Sequence, residues 1–250
     1  MTGDELKDFL ISKATQFENP EFIENDPIII PHRYRRKEDI EIIALLIATI
    51  AWGNRKSIIK SGNALSNIFG ESPYDFIMHF KHDRHYTFVH RTFSGIDLVF
   101  FCAALQRIYI EEGGLEAVFK KEKNDTIATS ISNFRKAMLI QQHEPRSRKH
   151  ISDPLSNSAC KRLNMYLRWM VRPATKGVDF GLWKKIQPSE LHIPLDVHTG
   201  NIARKLGILS RNQNDWKTSS LLYNYAHSIY PEDPSALDFA LFGLGAIEKF

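Results

Sequence analysis

Lys161 and Asp196 are an amine and a carboxylate, each placed where a helix is expected to begin. A lysine amine attacks electron-poor carbon only in its neutral form, which cationic neighbours and desolvation favour. Lys161, Met165, Arg168 and Arg172 fall at i, i+4, i+7 and i+11, so the amine shares a helix face with two arginines. Asp196 follows Pro194-Leu195, where proline enforces an extended approach, and precedes an expected helix over 197–206. A carboxylate at that position accepts backbone N–H bonds and faces the positive helix end, which favours its ionised form. The same residues also describe an ordinary solvated basic face and an ordinary structural cap, and neither segment taken alone separates the two readings. His192 and His198 lie nearby without a third ligand, so no metal site is expected.

The elements that must hold these side chains are helical by pattern. Leu163, Tyr166, Leu167, Met170 and Val171 form a core stripe on the Lys161 helix, and Ser156-Asn157-Ser158 supplies turn and capping residues before it. Further helices are expected over 4–17, 38–52, 55–69, 72–80, 94–112, 115–121, 126–142, 215–230 and 235–248. Ser94 is the expected cap of the long helix, and the last helix is apolar almost all round. Residues 143–157 read as a polar, basic loop, and Ile28–Ile30 as at most a short extended piece. The basic run His32–Arg36 falls in an irregular, proline-containing stretch. No alternating strand pattern or repeat is evident, so the expected fold class is all-α.

Charge is concentrated on the same stretch. Residues 145–211 hold 13 Lys+Arg against 4 Asp+Glu, whereas the remainder holds 20 against 25. The local excess points to a polyanionic partner more than the overall net charge of +4 does. Two cysteines, Cys102 and Cys160, exclude a disulfide scaffold and fit a reducing, cytoplasmic setting. The N-terminal residues lack a signal-peptide pattern, and the apolar run 40–52 is too short to span a bilayer, so no membrane association is expected.

Two blocks together resemble the helix-hairpin-helix DNA glycosylase superfamily. Its hairpin has the form L-P-G-[VI]-G-x-K-[TE]-A, and Leu155-Ser-Asn-Ser-Ala-Cys-Lys161 keeps the leucine and lysine at that spacing. Leu167-Arg168 extends the likeness to the archaeal-type 8-oxoguanine glycosylases. The second signature, [VIL]-D-x-H-x2-R-[VI]-x-x-R-[LI]-G, resembles Leu195–His198 and Ala203–Gly207. Leu46–Asn54 is similar to the family's first core helix and following turn, and Phe242-Gly243 lies in a corresponding terminal helix. A closer likeness is to an uncharacterised bacterial family that shares the S-A-C-K-R-L-N-M-x-L-R-W-M-V-R and P-L-D-x-H-T blocks. The chain departs from the glycosylase pattern at three places. Asn157 and Ala159 occupy the glycine positions of the hairpin, Lys161 and Asp196 are 35 residues apart with 173–192 as an insertion, and the four-cysteine iron–sulfur loop is absent. No iron–sulfur cluster or other cofactor is therefore expected.

The resemblance implies one helical unit over 1–250 with two lobes and a cleft between them, in which 155–208 carries hairpin, lysine helix, insertion and aspartate helix. It implies a nucleoid-associated base-excision glycosylase with AP-lyase activity, acting on a flipped, oxidised purine in double-stranded DNA or on an abasic site. Lys161 becomes the nucleophile and Asp196 the carboxylate that stabilises positive charge on the sugar. Asn157, Ser158, Ala159, Arg162, Arg168 and Arg204 become contacts to the DNA backbone. Asn54, Trp52, Trp169 and His198 become base-pocket or wedge residues, with Trp183 a further stacking candidate or a core residue. The alternatives are a catalytically silent DNA- or RNA-binding helical protein and a helical interaction protein whose basic stretch is merely solvated.

Overall fold

The computed structural model describes residues 2–119 and 125–250, which fold mostly as helices. In order, the α-helices are α1 (Gly3–Phe17), α2 (Glu21–Glu24), α3 (Lys37–Ile50), α4 (Arg55–Phe69), α5 (Pro73–Met78), α6 (Gly95–Glu111), α7 (Leu115–Val118), α8 (Ile127–Ile140), α9 (Lys161–Val171), α10 (Val197–Lys205), α11 (Trp216–Ile229) and α12 (Leu237–Phe242). A short ribbon pairs β1 (Val89–His90) antiparallel with β2 (Phe93–Ser94) inside the aromatic, basic segment before α6. The all-α expectation therefore holds for the described residues, with this one ribbon added. The helix expected over 115–121 reaches residues outside those described. Among the described residues no helix is long and apolar enough to cross a membrane.

The chain divides into two compact units. One is Asn25–Asp153, and the other joins Met1–Glu24 to Pro154–Phe250. In the first, α3 is buried almost all round, from Asp39 to Ile50. Its two buried carboxylates are satisfied: Asp39 accepts the Tyr74 N–H at 2.7 Å and Glu41 accepts the Tyr109 hydroxyl at 2.7 Å. Gly62 lets α4 approach closely, because a Cβ there would strike Ile30 and Ile47 side chains. Residues 27–33 form two 3-10 turns, each opened by a proline, instead of an extended piece. Ser94 does cap α6, in a reciprocal capping box with Asp97. The expected loop over 143–157 contains two 3-10 pieces, Pro145–His150 and Pro154–Ser156.

The second unit carries Lys161 and Asp196. Its core joins Leu10 and Ala14 of α1 to Ile202 and Ala203 of α10, Leu222 and Ala226 of α11, and Leu237, Ala240 and Leu241 of α12. The terminal helix expected over 235–248 is split. A 3-10 turn (Pro234–Ala236) leads into α12, and a π turn follows over Gly243–Ile247. Gly243 sits where any Cβ would drive into the Phe17 ring, so α1 and the end of α12 pack at close range. Helix α9 is buried from Leu163 to Val171 without a solvated face. Residues 173–192 account for this: Phe180 N–H bonds Trp169 C=O at 2.8 Å, and Trp183 N–H bonds Met170 C=O at 2.9 Å. Trp183 itself is buried, edge-on to Tyr166 at 5.4 Å.

Candidate active site

The turn before α9 is built from backbone bonds at both ends. Asn157 N–H donates to Pro154 C=O at 2.8 Å, and Asn157 C=O accepts from Trp216 N–H at 3.2 Å. Asn157 has φ 60° and Cys160 φ 48°, so the chain enters the left-handed region twice within four residues. Asparagine adopts that region at modest cost. Ala159, at the second glycine position of the hairpin pattern, is not in the left-handed region; the next residue, Cys160, is. Ser158 Oγ accepts the Cys160 N–H at 3.3 Å, and the buried Asn164 donates Nδ2 to Ala159 C=O at 3.1 Å. Together these bonds fix where α9 starts and leave Leu155, Ser156 and Asn157 exposed.

Asp215 locks the turn from the other side. Its Oδ1 caps α11 by accepting Thr218 N–H at 2.8 Å, and its Oδ2 accepts from Asn157 Nδ2 at 3.3 Å and Arg211 Nη2 at 2.5 Å. The Thr218 backbone bond and its companions hold this carboxyl below the usual aspartate range. Sequence reading placed Asp215 at a helix start but had no signal that it also holds a turn 58 residues earlier.

Asp196 caps α10 as expected, with Oδ1 accepting Thr199 N–H at 2.9 Å. Its carbonyl accepts from Asn214 Nδ2 at 3.0 Å. Lys161 Nζ lies 3.9 Å from Asp196 Oδ2, and both side chains are part-exposed, at 30% and 24%. The two residues read as a pair from the sequence are therefore neighbours, each on a helix head, with solvent access to the groups between them. His198 is exposed on the first turn of α10, and Arg162 is half-buried next to Lys161. Among the described residues no group of three His, Cys, Asp or Glu side chains converges to hold a metal ion.

Several expected contacts are placed differently. Arg168, expected at the DNA backbone, is 3% exposed and ion-paired with Asp179 and Asp238. Arg172, expected to raise the positive charge beside Lys161, is buried between Asp179 at 2.6 Å, Glu18 at 2.7 Å and Asp233 at 2.8 Å. Burial opposes its charge, but those carboxylates overcome it and hold the guanidinium above its usual value. Neither arginine supplies a solvated basic face. Trp169, expected to stack on a base, is fully buried in the core. Arg204 spends its donors on the 211–214 loop, reaching Arg211 C=O at 2.6 Å, Asn212 C=O at 3.0 Å and Asn214 Oδ1 at 2.5 Å. It thereby supports Asn214, which holds the Asp196 carbonyl. Gly200 makes room for this arrangement, since a Cβ there would come within 2.8 Å of both Arg204 and Asn214. The side chain of Ala159 is buried, while Asn157 and Ser158 keep exposed or half-exposed positions.

Trp52 and Asn54 belong to the unit Asn25–Asp153. Asn54 Oδ1 caps α4 by accepting Ser57 N–H at 3.3 Å. Trp52 is half-buried, edge-on to His90, with the Arg91 guanidinium 5.0 Å over its ring.

The chain belongs to a family described as "Protein of unknown function (DUF2400)", whose pattern matches residues 26–247. That span covers Lys161, Asp196 and the segment 173–192 between them. No match to the chain is found among curated proteins or among solved structures.

Proposed function

We propose that this chain is a DNA base-excision glycosylase of the helix-hairpin-helix type, with AP-lyase activity, in which Lys161 is the nucleophile and Asp196 its partner. The observation that carries the reading is the 3.9 Å approach of a part-exposed amine and carboxylate on two helix heads, next to an exposed turn. A flipped nucleotide offers C1′ to the amine. The C1′–N bond to the base breaks, the base leaves with the electron pair, and positive charge on the sugar is stabilised by the Asp196 carboxylate. The Lys161 nitrogen bonds C1′ and gives up its proton to Asp196 or water. Opening of the sugar C1′–O4′ bond, with O4′ taking a proton, leaves an imine. Loss of a C2′ proton then expels the 3′ phosphate and cuts the strand. The exposed residues 155–157 and the half-buried Arg162 lie next to Lys161 in the chain and are the groups assigned to phosphate.

Borohydride reduction tests the imine directly. Incubation with duplex DNA bearing an abasic site or 8-oxoguanine, followed by borohydride, is expected to give a covalent adduct in the parent and none in Lys161→Ala. An adduct of equal yield in Lys161→Ala rejects the lysine assignment. Salt-sensitive DNA binding without any adduct identifies a catalytically silent binder instead.

A further inference from the structure

The basic run Arg33-Tyr34-Arg35-Arg36 takes no part in the proposed chemistry, and the fold gives it a cleft of its own. A 3-10 turn over Pro31–Arg33 precedes it and α3 follows it, so Tyr34, Arg35 and Arg36 link the two. Both ends of this link are tied down. The Tyr34 hydroxyl shares a 2.6 Å bond with Ser66 Oγ and donates to Gly70 C=O at 3.2 Å. Arg36 meets Glu38 at 3.0 Å and Asp75 at 3.2 Å, with its guanidinium 4.1 Å over the Tyr74 ring. The backbone that carries Arg35 is therefore fixed on both sides. That of Arg33 is fixed by its N–H, which donates to Ile30 C=O at 3.1 Å.

These residues line an open cleft of about 900 Å³, together with Asn67 of α4 and Glu71 just beyond it. Two of its charged groups are already spent. Arg36 is one, and the buried Asp39, which accepts the Tyr74 N–H, is the other. The side chains of Arg33, Arg35, Asn67 and Glu71 are exposed, and among the described residues none of them has a hydrogen bond or ion pair. What the cleft offers a ligand is thus two guanidiniums, one amide and one carboxylate. Two like charges two residues apart repel each other, and an anion held between them removes that cost. A guanidinium presents a planar fork of donors that matches phosphate oxygens. Glu71 opposes a ligand that is anionic throughout. A ligand with a phosphate at one end and N–H or O–H donors at the other satisfies both walls. The volume lies within the range of about 300–1,000 Å³ usual for small-molecule sites.

We propose that this cleft binds a nucleoside monophosphate, its phosphate held by Arg33 and Arg35 and its sugar and base donors facing Asn67 and Glu71. The site lies wholly within the unit Asn25–Asp153, and it stands whether or not Lys161 is a nucleophile.

Calorimetric titration of the full chain with 2′-deoxyadenosine 5′-monophosphate tests the proposal. One molecule is expected to bind per chain, inorganic phosphate more weakly, and deoxyadenosine not at all. The double variant Arg33→Gln/Arg35→Gln is expected to lose roughly tenfold or more in affinity, with its thermal unfolding midpoint unchanged because both side chains are exposed. Should the double variant unfold, Arg33→Gln alone carries the comparison. In Glu71→Gln the preference for the nucleotide over inorganic phosphate is expected to narrow, since the carboxylate both accepts from the nucleoside and repels the anion. Lys161→Ala should bind the nucleotide as the parent does. Absence of binding by the parent at millimolar nucleotide overturns the proposal, as does equal affinity in the folded arginine variant. An oligodeoxynucleotide without terminal phosphates that bound as tightly as the nucleotide, and was weakened by the same arginine variant, would overturn it in favour of a nucleic-acid track.

Discussion

Asp196 divides its two carboxylate oxygens between Thr199 and Lys161: Oδ1 accepts the Thr199 N–H at 2.9 Å, and Oδ2 faces the Lys161 amine at 3.9 Å. The bond that starts α10 is therefore also the bond that aims the carboxylate. The cap and the proposed chemistry fall on one side chain, and substitution separates them.

Asp196→Asn keeps an oxygen for Thr199 and removes the charge. Asparagine caps about as well as aspartate, so stability is expected to change by no more than about 0.5 kcal/mol. Single-turnover cleavage of lesion DNA is expected to fall by about 100-fold or more, since stabilisation of developing positive charge is lost. Asp196→Ala loses the cap as well and should cost about 1 kcal/mol in denaturant unfolding. Equal cleavage by parent and Asp196→Asn would remove the carboxylate from the mechanism.

The turn offers a second separation. Asn157 sits at φ 60° and also donates to Asp215. Asn157→Gly keeps the conformation and loses one exposed hydrogen bond, so its unfolding midpoint should stay close to that of the parent. Asn157→Val combines a β-branched side chain with positive φ and should lose about 1–2 kcal/mol. Chemical denaturation of the two variants decides the point. Equal losses would mean that the left-handed backbone is not what the position demands.

Lys161 and Asp196 were legible because helix starts leave local signals: small polar residues before Lys161, and proline then aspartate before the 197–205 helix. The cap at Ser94 and the end of α4 at Gly70 were legible for the same reason. What escaped was non-local. A helical period marks Arg168 and Arg172 as one polar face, but only the fold reveals that Asp179, Asp233, Asp238 and Glu18 converge on that face and draw it inside. Trp169 and Trp183 could not be sorted into wall or core until residues 173–192 were seen to cover α9. The split at Gly243 was hidden because its cause, the Phe17 ring, lies at the other end of the chain.

The buried charges lead to a prediction about stability. Asp179 is fully enclosed and pairs with both Arg168 and Arg172. Asp179→Ala leaves two buried guanidiniums short of a partner and is expected to cost about 3–5 kcal/mol. Arg168→Ala should cost a similar amount, because it takes the ion-pair partner from the buried Asp238 and leaves Asp179 with Arg172 alone. Both effects should appear in thermal unfolding without DNA. A near-neutral Arg168→Ala that specifically weakened DNA binding would return Arg168 to the surface role from which its burial removes it.

His192 makes stability depend on pH on the acid side. It is stacked between Trp216 at 4.5 Å and Tyr223 at 4.7 Å, with Nδ1 3.0 Å from Ser219 Oγ. Burial pushes its imidazole down to about 4, against about 6.5 when the chain is unfolded. Between those values the unfolded state binds more protons than the folded one. The contribution of this residue is therefore complete above pH 6.5 and is lost as pH falls towards 4, with a total of about 3 kcal/mol. Asp238 works in the opposite direction, because its raised value favours the fold at low pH and costs stability as pH rises through about 6. His192→Phe retains an aromatic ring between Trp216 and Tyr223 but leaves the Ser219 hydroxyl without its partner, a cost of about 1 kcal/mol. At pH 7.5 this variant should be slightly less stable than the parent, and between pH 6.5 and 4 its stability should fall less steeply. Urea midpoints measured every half unit across that range give the comparison. Parallel profiles would show that the buried imidazole is not the group that protonates on unfolding.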